Sequence, residues 1–288
     1  MATLRAPNGV INTYAGIETL KSRAGISGTA QDALLWLALY TAGRTVDGFC
    51  NRRFFLVRAS RLFDVRDREG FLVPDLVSVV ALREDADRDR VFEVTRAADD
   101  YLLYPLNASP EQPWGRPYSR VVADPDGPRP AFTIGRRAVE VDGEWGFRKA
   151  FADTGADLSI GGPLSAAATQ ATVTDGTLVE AGDTALIEQE QVFIRQVSGN
   201  DLTLVRGVNG TSAVSHVDGL DVWTARPPAQ VSEASLLVAG RLFTRGDNPL
   251  AVSAGSYGLG APKSHAAIDP DAQRLLTPFR RLPLGAAA

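Results

Sequence analysis

Cysteine is almost missing: Cys50 stands alone in 288 residues. One thiol excludes an internal disulfide and cannot build a thiolate zinc cluster. Histidine is nearly as scarce, with only His216 and His265. Neither lies beside a G-x-S-x-G nucleophile elbow, so serine-triad chemistry has little to stand on. No apolar run approaches the roughly 20 residues that a bilayer span needs, and no membrane partner is expected. The opening MATLRAPNGVINTYAG lacks the continuous apolar core of a signal peptide, which predicts that the chain stays where it is made. Lysine is rare too. Of 30 basic residues only Lys21, Lys149 and Lys263 are lysines, a bias that fits a GC-rich genome. The formal charge of -4 argues against a protein that grips nucleic acid, whose footprint is usually basic.

What is present is an ordinary globular composition, 44% hydrophobic and 22% charged, with room for one large domain or two modest ones. The stretch TAQDALLWLALYTAGRTVDGF predicts a helix, with Thr29 as N-cap and Asp32 completing a capping box. Leu35, Leu39, Ala42, Val46 and Phe49 recur at helical spacing and predict one buried face. Before it, YAGIETLKSRAG reads as a short helix or turn stopped by Gly25. From Phe54 the period becomes two: FFLVRASRLFDV, LVSVVALRE, RVFEVT and RAVEVDGEWGF read as strands. The prolines from Pro105 to Pro130 predict a long loop or edge segments. A second β-rich block runs from about Thr169 to Thr224, with a hairpin turn at Ser198-Gly199-Asn200-Asp201. Helix returns after Pro228 with the stripe Val231, Ala234, Val238 and Leu242. A short last helix is predicted with Asp269 as N-cap, Pro270 at its first position and an end near Pro278. This order predicts an α+β fold and not an alternating βαβ one.

Three motifs suggest chemistry. GLGAPKS echoes a phosphate loop, but Pro262 replaces the glycine before Lys263 and has no N–H to offer phosphate. DADRDR places Asp85, Asp87 and Asp89 as a calcium loop does, yet Arg90 and Arg96 stand where glycine and the bidentate acid are needed. A charged hairpin tip is the better reading. AFADTGADLSI carries Asp153-Thr154-Gly155, the signature of a homodimeric retropepsin-like aspartic peptidase, in which two carboxylates share a proton across about 3 Å. Against it, Arg148 and Lys149 stand where an apolar strand should lead in. In LVRGVNG, moreover, the Arg and Gly of the supporting motif are reversed.

Several stretches together resemble the head–tail adaptor (connector, head-completion) proteins of long-tailed bacteriophages and gene transfer agents. The first is the helix DALLWLALYTAGRTVDGFCNRRFF, ending in Asp47, Phe49, Cys50, Arg53 and Phe54. FLVPDLVSVVALREDADRDRVFEV, DDYLLYPLNASPEQPWGRPYSRV, VEVDGEWGF and DPDAQRLLTPFRRL follow in the family's order. The segment between about residues 150 and 225 departs from a minimal adaptor and is similar to a small β module of phage structural proteins. The expected fold is then a small helical core, two main helices plus a C-terminal helix, with a β-sheet excursion and an inserted small β-barrel-like module. Residues 1–149 would form the adaptor N-terminal region, 150–225 the inserted module, and 226–288 the C-terminal helix and portal-binding arm.

The resemblance implies a non-enzymatic structural protein of the virion neck, without cofactor or metal, assembled in the host cytoplasm. It would form a dodecameric ring beneath the portal protein and receive the stopper or tail-completion protein. Double-stranded DNA would pass through the channel without specific binding, since an acidic lumen repels it. Leu35, Leu39, Phe49, Val231, Val238 and Leu242 would make protomer core and ring contacts. Leu275, Leu276 and Phe279 would anchor on the portal, with Arg280 and Arg281 pairing to acids. The bland alternative for that arm is a helix capping its own domain. The Arg44–Arg68 stretch would face portal acids or water, and DTGAD would be the turn that enters the module. A third reading gives the module a sugar- or surface-binding role.

Overall fold

A computed structural model describes residues 9–112, 114–147, 151–159, 161–247 and 268–281. They form an α+β fold of four helices and two six-stranded antiparallel sheets. Contacts divide the described residues into two units, one of 9–51, 151–208 and 212–281, the other of 52–147 and 209–211.

The first unit joins the helices to the second sheet. Helix α1 (Ile17–Ala24) ends at Gly25, whose φ of 65° is the left-handed stop that glycine supplies. Helix α2 (Asp32–Cys50) buries Leu35, Leu39, Ala42 and Val46 completely, as its apolar period predicts. Its start differs from the expected capping box. Gln31 is the N-cap, and among the described residues no side chain caps the turn. The Asp32 carboxylate instead lies 2.6 Å from the Lys21 ammonium, both side chains being buried. A buried ammonium demands a counter-charge more strongly than an exposed helix end demands a cap.

In the second unit, β1 (Val57–Val65), β2 (Gly70–Glu84), β3 (Val94–Arg96), β4 (Tyr101–Tyr104), β5 (Tyr118–Ala123) and β6 (Gly135–Trp145) form the first sheet. Its order is β1-β6-β2-β5-β4, with β3 also on β2. One face buries Phe71, Val73, Leu76, Leu82, Val121, Val139, Val141 and Trp145 as its core. One strand, β5, lies within the segment from Pro105 to Pro130 read as loop or edge. β4 is an edge, but β5 sits inside the sheet between β2 and β4. The prolines that obscured β5 stand on either side of the strand and not within it.

The second sheet is built from β7 (Phe151–Asp157), β8 (Gln170–Thr172), β9 (Thr184–Ile187), β10 (Glu190–Ser198), β11 (Asp201–Val205) and β12 (Asp221–Ala225), in the order β7-β12-β9-β10-β11-β8. The expected hairpin is present, with Ser198 opposite Asp201 and Gly199 at φ 61°. The barrel-like closure is not: among the described residues β7 and β8 form no ladder with each other, the bridge from Leu158 to Val173 joins their ends, and the barrel is not closed. DTGAD also differs from its expected role as an entry turn, because it lies in strand β7, paired with β12.

Helix α3 (Ala229–Asp247) packs on α2, and helix α4 (Pro270–Leu276) packs on both. Trp36 of α2 meets Phe193 of β10 edge to face, with ring centroids 6.4 Å apart, which links the helices to the sheet.

Candidate functional site

The C-terminal arm folds as the sequence predicts. The Asp269 side chain accepts from the Asp271 N–H at 2.9 Å and Pro270 opens the helix. Leu276 is fully buried, Leu275 and Phe279 are half-buried, and Arg280 is exposed with its guanidinium 5.5 Å from the Phe49 ring centre. The Arg281 N–H donates to the Cys50 carbonyl at 2.8 Å, and the Cys50 thiol lies 3.9 Å from the Leu276 carbonyl oxygen. The arm therefore sits on the C-terminal end of α2. Leu276 belongs to the protomer interior, while Leu275, Phe279 and Arg280 reach its surface.

Of the six residues expected at the core or ring contacts, Leu35, Leu39, Val231 and Val238 are interior. Phe49 and Leu242 are half-buried. The opposite face of α2 carries what the period-based reading passed over: Leu34 and Leu37, 55% and 56% exposed and one helical turn apart. The signal was the unbroken apolar run from Ala33 to Tyr40, which is wider than a single buried stripe needs. Much of the Arg44–Arg68 stretch is engaged locally. Arg44 lies 3.2 Å from Asp47 and over the Tyr14 and Tyr40 rings. Arg52 lies 3.7 Å from Asp75, and Arg61 stacks over Trp145.

The peptidase-like motif has a backbone explanation. Opposite Val222 and Trp223, strand β7 fits two extra residues between Asp153 and Ala156, a β-bulge. The Asp153 carboxylate accepts from the Gly155 N–H at 2.9 Å. The Thr154 hydroxyl donates to the Val222 carbonyl at 2.6 Å, and Gly155 takes φ 74°. Asp153 is exposed. Each residue of the motif shapes the bulge.

Asp85, Asp87, Asp89 and Glu93 form a carboxylate group that could hold a metal, their nearest oxygens lying within 4.8 Å of one another. They occupy the loop between β2 and β3. Asp85 accepts from the Arg88 and Arg90 N–H groups at 2.7 and 2.9 Å, and Glu93 accepts from Ala86 N–H at 2.9 Å. The acids hold a tight hairpin tip, as the sequence suggests. GLGAPKS, His265, Arg148 and Lys149 lie outside the described residues.

The most elaborate polar cluster was not visible in the sequence. Glu190 pairs with Arg206, and His216 sits between Glu188, 2.8 Å from its Nδ1, and Glu190, 2.9 Å from its Nε2. Burial alone would raise the Glu190 carboxyl. Hydrogen bonds from Arg206, the Val214 N–H, His216 and the Gly207 N–H outweigh it and lower the pKa to about 2. The cluster ties Arg206, Gly207, Val214 and His216 to the sheet.

No protein-family model matches the chain, and no curated protein matches it. Among solved structures it is similar to a chain of the "Neck of empty GTA particle computed with C6 symmetry". The identity is 15%, over 98% of this chain and 96% of that one, with a TM-score of 0.40.

Proposed function

We propose that this protein is a head–tail adaptor, a non-enzymatic structural component of a virion neck. Its protomers assemble into a ring, dodecameric by analogy with the adaptors it resembles, beneath a portal protein. The ring extends the DNA channel without binding DNA specifically and offers a platform to a stopper or tail-completion protein. Assembly takes place in the host cytoplasm. Residues 1–149 and 226–288 supply the adaptor body and 150–225 the inserted module.

The reading draws on the ordered sequence segments quoted above, and one structural observation carries it: α2 is apolar on two faces. Its inner face packs within the protomer, while Leu34 and Leu37 stay in the open. A surface helix normally keeps its outward face polar, and exposed leucines at one-turn spacing suit a protein partner. In this reading they meet the neighbouring protomer. Leu275, Phe279, Arg280 and Arg281 meet the portal, and buried Leu276 holds their helix in place.

The test is the double variant Leu34→Glu/Leu37→Glu. Both side chains are exposed, so the protomer keeps its far-UV circular dichroism and Tm, while native mass spectrometry shows the ring reduced to protomers. A ring of undiminished size would remove α2 from the interface.

A further inference from the structure

Several polar side chains in and around the second sheet are engaged by their neighbours. Asp175 caps the turn at Thr177, Thr174 accepts from Asp157, and Glu190 is saturated by Arg206 and His216. One patch is different. Strands β10, β11 and β8 lie side by side, and their register sets two rows across one face. Gln196 stands beside Thr203 and then Gln170, and Ser198 beside Asp201 and then Thr172. The alternating Ala171, Leu202 and Leu204 are buried on the other side. The six polar side chains line a groove of about 420 Å³. The Thr172 hydroxyl donates to Asp201 at 2.7 Å. The side chains of Gln170, Gln196, Ser198 and Thr203 make no hydrogen bond to another described residue.

We propose that this groove binds a neutral saccharide. A sugar hydroxyl donates and accepts at once, and it is matched by amides and hydroxyls that do both, while the Asp201 carboxylate accepts from neighbouring sugar hydroxyls. Among the described residues no lysine or arginine lines the groove, so they offer no cation to a phosphate, a sulfate or a nucleic-acid backbone. Its apolar lining residues, Ala171 and Leu202, are 4% and 3% exposed and supply no greasy anchor for a peptide or lipid. Binding by hydrogen bonds alone, without an aromatic platform, predicts a dissociation constant of about 1 mM or weaker per site. Several copies on one assembly would raise the avidity. The inference does not depend on the adaptor reading.

The experiment is saturation-transfer NMR on the full chain with glucose, galactose, mannose and N-acetylglucosamine, and with short unbranched oligomers of each. Saturation is expected to reach at least one neutral sugar. Gln196→Ala and Thr203→Arg, which respectively empty and fill the groove, should each weaken binding about tenfold with Tm unchanged. Gln170→Ala, at the exposed edge strand, replaces either variant that fails to fold. No transfer to any sugar overturns the proposal, as does transfer that the variants leave untouched or that favours phosphorylated or sulfated sugars.

Discussion

Glu190 and Arg206 meet in a two-point ion pair, each guanidinium nitrogen 2.7 Å from its own carboxylate oxygen, inside the second sheet. The remaining Arg206 N–H groups reach the carbonyls of Ser165, Ala168 and Val214 at 3.0, 3.0 and 2.6 Å. Every donor of the fork is used, which lysine could not reproduce.

Arg206→Lys and Glu190→Gln should each destabilise the protein by about 3–5 kcal/mol, because each breaks a buried, hydrogen-bonded pair and strands a charge or donor. Urea unfolding at neutral pH measures this. The pH dependence follows from the depressed Glu190 carboxyl, held at about 2 against an unfolded value of 4.5. Its stabilisation is complete above the unfolded value and is lost as pH falls from about 4.5 through about 2. Unfolding at pH 3 should therefore show reduced stability in the parent protein, and Glu190→Gln should lose less over the same interval.

The bulge account of DTG separates Asp153 from Gly155. Asp153→Asn should shift stability by less than about 0.5 kcal/mol, since the side chain is exposed and asparagine still accepts from the Gly155 N–H. Gly155→Ala should cost about 1 kcal/mol, because φ of 74° disfavours a Cβ. Thermal unfolding of both variants tests the contrast, and an unfolding profile dominated by Asp153 would contradict it.

Gly16 and Glu180 make a second local test. The Glu180 carboxylate accepts from the Thr19 N–H at 3.1 Å, capping α1 from another part of the chain. A Cβ on Gly16 would run into that carboxyl group. Gly16→Ala should therefore displace the cap and cost about 1 kcal/mol, measured by chemical denaturation.

The Trp36–Phe193 contact predicts that helices and second sheet unfold together. Phe193→Ala should cost about 3–5 kcal/mol and lower the helical and sheet signals in one transition. A helical signal that outlasts the sheet would show independent folding.

What the sequence revealed were features written in a few adjacent residues: the Gly25 stop, the Gly199-Asn200 turn, the Asp269-Pro270 helix start and the inner stripe of α2. What it hid depended on distant partners. Asp32 looks like half of a capping box until Lys21 is found beside it. DTGAD looks like a turn until β12 pairs with it, and the Glu188-Gln189 turn between β9 and β10 lacks the glycine or asparagine that usually marks one. At the candidate interface, the apolar period picked out the buried leucines. Leu34 and Leu37 became distinct only once the packing of α2 fixed which side faced inward.

The most direct test of the central claim is native mass spectrometry and electron microscopy of the full chain mixed with the portal protein of its own genome. The account predicts ring-shaped portal complexes with about one copy of this chain per portal subunit. A stable free monomer or dimer that leaves the portal unbound would contradict it.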